Sequence, residues 1–167
     1  MVRLSSSTAI WVVALVGLTA CTKKVVETSI TPVPGTAVTA QLDAPREGPA
    51  GALNGRAAVE AFLTAVRAQD LRGMSAVWGN EKGPTADRIK RDELEKRLIA
   101  IQCYLSHDKW AFAEERARLI TGGRQEYIVD LRQQQLSGRT KFTVVAGQAG
   151  RWFVEDIDVL SLKDFCR

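Results

Sequence analysis

Around residue 107 the spacing of apolar residues switches from helical to alternating, and this switch sets the class of fold open to the chain. Before it, Val59, Phe62, Leu63 and Val66 recur at helical spacing from Arg56 onward, with no glycine or proline between them. The pattern runs on through Leu71, Met74, Val77 and Trp78 after a break at Gln69-Asp70; Gly73 weakens this second segment, and Gly79-Asn80 and Gly83-Pro84 close it. A further helix is expected from Asp87 to Ser106, with Ile89, Leu94, Leu98, Ile101 and Leu105 on its packed side. Its charged residues read as a solvated face carrying the pairs Asp92–Lys96 and Glu93–Arg97.

After the switch the chain reads as strands. Trp110 to Ile120 is a long candidate, although Ala113 to Ala117 also suits a helix. Glu126 to Gln134 puts Tyr127, Val129 and Leu131 on one face, and Thr140 to Ala146 does the same for Phe142 and Val144. Arg151 to Leu160 places Phe153, Ile157 and Val159 on one face and Trp152 and Val154 on the other. Turns are expected at Gly122-Gly123, Ser137-Gly138 and Gly147-Gln148-Ala149-Gly150. Helices first and a meander after them give an α+β domain, with the helices on one face of an antiparallel sheet of about four strands.

Composition narrows the function classes. A chain of 167 residues, 46% apolar and 25% charged, is one globular domain with short extensions. The net charge of +4 comes from acids and bases that are interleaved, which argues against a nucleic-acid partner. The single histidine excludes multi-histidine metal sites. With no glycine-rich phosphate loop, Cys-x-x-Cys pair or nucleophile elbow, neither a metal nor a cofactor is expected.

The N-terminus carries an address. Arg3 supplies a short positive region, and Ala9 to Leu18 form an apolar run suited to a signal-peptide core and too short to span a membrane. Leu18-Thr19-Ala20-Cys21 follows, and this order resembles the lipobox of bacterial lipoproteins. The resemblance implies cleavage before Cys21, acylation of its thiol and new amine (palmitate among the acyl groups), and attachment to the bilayer. Thr22 rather than an aspartate after the cysteine implies the outer membrane, facing the periplasm. An ordinary secretory signal with a chance cysteine, or an uncleaved helix, is the alternative. Residues 1–20 are thus the signal, and residues 21–55 a tether rich in proline, threonine and glycine, with no aromatic residue after Cys21. The tether is either a spacer holding the domain off the bilayer or a tolerated linker. Residues 56–167 form the domain.

The stretch Ala57 to Trp78, with its break at Ala68-Gln69-Asp70, resembles the opening helices of the NTF2-like superfamily, and the likeness extends over roughly residues 56–162. It implies a curved sheet wrapping the helices into a cone that often holds a pocket. In enzymatic members an Asp or His acts as base and a Tyr or protonated acid holds the oxyanion. Here the candidates are His107 (beside Asp108), Asp130, Tyr127 and Tyr104. His107-Asp108 also fits a surface turn, and the tyrosines also fit packing roles. Such folds host many functions, so the fold alone gives no reaction. The expected role is binding or structural, toward an envelope protein or a small apolar ligand. An isomerase- or dehydratase-type enzyme, and an envelope inhibitor or assembly factor, are the alternatives.

With Cys21 assigned to lipid, Cys103 and Cys166 remain, in a compartment where disulfides persist. A bond between them would tie the C-terminal tail to the last helix; two separate thiols are the alternative. Trp78, Trp110 and Trp152 read as core and rim packing, or as a stacking platform for a ligand.

Overall fold

A computed structural model describes residues 49–167. The signal peptide, Cys21 and nearly all of the tether lie outside the described residues. The described part is α+β, with three α-helices and a mainly antiparallel sheet. Ordered packing begins ahead of Arg56: Gly51 N donates to Ala76 O at 2.7 Å, and Ala52 exchanges backbone hydrogen bonds with Trp152 at 2.8 and 2.9 Å.

Helix α1 (Gly55–Arg67) starts where Asn54 Oδ1 accepts from Ala57 N. Its buried face is Val59, Phe62, Leu63 and Val66, the periodic set of the sequence. It ends in a Schellman motif: Gln69 N donates to Val66 O and Asp70 N to Ala65 O, with Gln69 left-handed at φ 56°. Asp70 then caps α2 (Leu71–Val77) by accepting from Gly73 N. A small antiparallel pair follows, β1 (Gly79–Asn80) with β2 (Gly83–Pro84). Helix α3 (Arg91–Tyr104) starts later than Asp87. Thr85–Asp87 form a 3-10 turn instead, and Arg88 Nη1 donates to Gly83 O at 2.7 Å, which ties this segment to β2. On α3, Leu94 and Leu98 are buried and Glu93 pairs with Arg97; the Asp92–Lys96 pair does not form.

The main sheet has five strands, β3 (Lys109–Phe112), β4 (Arg118–Ile120), β5 (Arg124–Gln133), β6 (Leu136–Ala146) and β7 (Trp152–Ile157). All its pairings are antiparallel, in the order β3-β5-β6-β7, with β4 also on β5. The expected strand Trp110 to Ile120 is therefore two strands. Residues 113–117 are neither strand nor helix: Ala113 N still donates to Ile128 O at 2.9 Å, and the chain then bends away through residue 116.

Two further expectations need correction. The β5–β6 turn is Gln134-Gln135, not Ser137-Gly138. Gly138 sits within β6, opposite Leu131, because the C-terminal turn packs over it. A Cβ at Gly138 would stand 2.6 Å from Leu162 Cδ2 and 3.0 Å from Phe165 Cε2. Strand β7 does not alternate simply either. An irregularity next to Thr143/Val144 pairs Val144 with Val154 but Thr143 with Asp156, leaving Glu155 over. Val154 and Ile157 thereby both pack against the core, and Phe153 turns the other way, into a niche bordered by Gly51, Gly79 and Gly147.

The core lies between the helices and one sheet face. Phe62 of α1 meets Phe142 of β6 edge-on at 6.3 Å, both fully buried with Leu63, Met74, Leu98, Val129 and Leu131. Burying side chains of this size contributes about 1.5–3 kcal/mol each. The opposite sheet face carries charge pairs: Asp130 with Arg139, Glu126 with Lys141, and Glu155 with Arg124. No helix among the described residues is long and apolar enough to cross a membrane.

Candidate functional site

The acid–base candidates occupy three separate places. Asp130 stands on the charged face of β5, where Arg139 Nε and Nη2 donate to it at 2.6 and 3.0 Å. That interaction holds its carboxyl below the usual range. Tyr127, three residues away, points to the opposite face, into the core. Its hydroxyl donates to Gln125 Oε1 at 3.0 Å, its ring lies 5.5 Å from Phe112, and burial pushes its pKa up. His107 lies near the far end of β5, beside Gln133, six residues or about 20 Å along the strand from Tyr127. Tyr104 ends α3, half-buried.

His107 and Asp108 do not form a dyad. Asp108 Oδ2 accepts from Gln134 N at 2.7 Å and so caps the β5–β6 turn. His107 is 6% exposed, and its Nδ1 lies 2.8 Å from Leu105 O. A carbonyl only accepts, so Nδ1 carries the proton and the neutral ring leaves Nε2 as an acceptor. Burial lowers the imidazole pKa, and Arg67 adds to this; the Leu105 hydrogen bond and the Asp108 charge oppose it.

His107 lines a hollow of about 400 Å³ at the end of the domain where α1 and α3 terminate. Val66, Arg67 and Gln69 of the α1 cap form one wall, and Ile99, Gln102 and Cys103 of α3 form another. Ser106, Gln133, Phe165 and Arg167 complete it, with Gln133 Nε2 donating to Ser106 Oγ at 3.0 Å. The tail residues are held there by a disulfide between Cys103 and Cys166, whose Cα atoms are 5.1 Å apart. His107 Nε2 and Gln102 Nε2 are shielded from solvent and have no hydrogen-bond partner among the described residues. Each such atom costs about 1–3 kcal/mol. Gln69 holds a left-handed backbone that favours glycine, so local strain sits on the same wall.

The sequence marks His107 and Cys103 as notable but gives no signal for Gln102, Gln133, Arg67 or Arg167. Among the described residues no cluster of His, Cys, Asp and Glu could hold a metal ion. Trp78, Trp110 and Trp152 do not gather into a platform at this hollow: Trp110 packs edge-on to Phe112 at 5.2 Å, Trp78 bridges to Val154 of β7, and Trp152, the first residue of β7, bridges to Ala52. Compared with known proteins, the chain matches no family model, no curated protein and no solved structure.

Proposed function

We propose that this chain is a bacterial lipoprotein, held by acylated Cys21 to the outer membrane, whose NTF2-like domain faces the periplasm and acts by binding. The observation that carries binding over catalysis is the separation of His107, Asp130 and Tyr127. One is buried at the domain end, one is paired on the charged face, and one is in the core. Among the described residues no carboxylate side chain or tyrosine lines the hollow beside His107, so an isomerase- or dehydratase-type reaction lacks the second side chain it needs. The order of helices before an antiparallel sheet, with α1 against β5, β6 and β7, is what an NTF2-like cone requires. Attachment and export rest on Leu18-Thr19-Ala20-Cys21 and the apolar run before it.

Mass spectrometry of the mature N-terminus tests this reading. An acylated Cys21 as first residue is the expected result, and an unmodified cysteine or another start would overturn it. A protein contact, as in an inhibitor or assembly factor, has one observation in its favour. Strand β4, paired on one side to β5, carries Leu119 at 82% exposure beside the exposed Ile120.

A further inference from the structure

We infer that the hollow around His107 is a binding site for a small neutral saccharide, or another polyhydroxylated molecule of that size. This deepens the binding reading and rests on it. The volume, about 400 Å³, falls at the low end of small-molecule sites. Its walls combine hydrogen-bonding side chains of both polarities with apolar surface from Phe165, Ile99 and Val66. His107 Nε2 accepts and Gln102 Nε2 donates, and both are buried without a partner among the described residues. A hydroxyl both donates and accepts, so one class of group satisfies the two atoms; a hydrocarbon satisfies neither. Both atoms are shielded from solvent on residues that line the hollow, so a ligand meets them only when a lining side chain moves. Arg67, Gln69, Ile99 and Arg167 are the exposed residues of that lining.

Charge decides between a neutral ligand and an anion. Among the described residues the walls contain two guanidinium groups and no carboxylate side chain, which at first favours an anion. Arg167, however, is paired with Asp164. The C-termini of α1 and α3 both end here, and each carries about half a negative charge. These partial charges oppose that of Arg67 and lower the net positive charge of the site. Donors with their positive charge lowered in this way suit hydroxyls better than a carboxylate.

The single histidine of the chain makes the test direct, because the ring ¹⁵N signals of labelled histidine belong to one residue. The full chain in detergent micelles is titrated with D-glucose, with D-gluconate and with toluene. Glucose is expected to shift the His107 ring nitrogens saturably, with a Kd on the order of 1–10 mM. Gluconate should bind less well, and toluene should leave the signals in place. Gln102→Met removes a donor without changing side-chain length. It should weaken glucose binding roughly fivefold to tenfold while leaving the thermal midpoint unchanged or raised. A response to gluconate or toluene but not to glucose overturns the ligand class. Silence toward all three, or full glucose binding by the Gln102→Met chain, overturns the site. The mass of the N-terminus, measured on the same sample, decides the lipoprotein reading separately.

Discussion

Replacing Cys103 and Cys166 together by alanine tests what holds the C-terminal wall of the hollow. The disulfide closes a loop across 63 residues of sequence. Closing a loop of this size removes about 14 cal/mol/K from the unfolded chain, or ~4 kcal/mol at 25 °C. The folded state should change little when the bond is absent, because Leu162 and Phe165 are buried (1% and 8% exposed) and pack over Gly138 without it. The loss therefore falls mainly on the unfolded side of the equilibrium. Urea unfolding followed by tryptophan fluorescence reads it out. With a slope of ~1.5 kcal/mol/M, the midpoint should fall by roughly 2–3 M. The slope itself should rise, since an unbridged chain expands further. The parent protein in excess dithiol reductant should match the double variant. A midpoint drop below about 0.5 M, with the slope unchanged, would refute the claim that the bond acts by restraining the unfolded chain.

Three other perturbations follow from single residues. Gly138→Ala drives a methyl group against Leu162 and Phe165 and should cost about 1–3 kcal/mol in urea unfolding; a neutral result would mean that the tail does not pack there. Gln69→Gly relieves the left-handed backbone after α1 and should raise stability by roughly 0.5–1 kcal/mol, so a lower thermal midpoint would argue against strain at that position. His107 gives a pH dependence. Burial and Arg67 lower its folded-state pKa, against the Leu105 hydrogen bond and the Asp108 charge, whereas the unfolded ring titrates at 6.5. The unfolded chain then takes up the proton first as pH falls. Stability is full above pH 6.5 and is lost as pH drops through the lower, folded-state value. His107→Asn should flatten this slope, and equal slopes for the two proteins would show that the ring is not buried neutral.

The parts of the fold that the sequence makes legible are those where one face of an element meets the core along its whole length. Val59, Phe62, Leu63 and Val66 mark α1, and Tyr127, Val129 and Leu131 mark β5, because each set is buried by a single neighbouring layer. Legibility fails where a tertiary contact reassigns a residue's local preference. Gly138 has the composition of a turn, yet it lies in a strand because the tail needs the space a Cβ would fill. Phe153 breaks the expected alternation because β7 carries one extra residue against β6. At Ala113 to Ala117, the residues that suit a helix belong to neither helix nor strand. The hollow is the extreme case. Its walls come from residues 66–69, 99–107, 133 and 165–167, and no periodicity in one segment reports on the others.

Strand geometry and core packing together fix where a ligand can enter this domain. Residues of opposite parity on a strand face opposite sides, so Asp130 and Tyr127 could share a site only through a bulge between them. The β5 register is unbroken from Gln125 to Gln133, and the pair stays apart. Between helices and sheet the volume is taken by Phe62, Phe142, Leu63, Met74 and Leu98, all fully buried. A ligand lodged there would have to displace them, and truncating even one such residue to alanine costs about 2–5 kcal/mol. At the end of the domain the constraint lifts. Helices α1 and α3 stop, their last turns add the Arg67 guanidinium and the Gln102 amide beside apolar Val66, and the disulfide draws the tail across as a wall. The unpartnered His107 Nε2 and Gln102 Nε2 belong to residues that line this hollow, whereas the fully buried large side chains of the core are apolar.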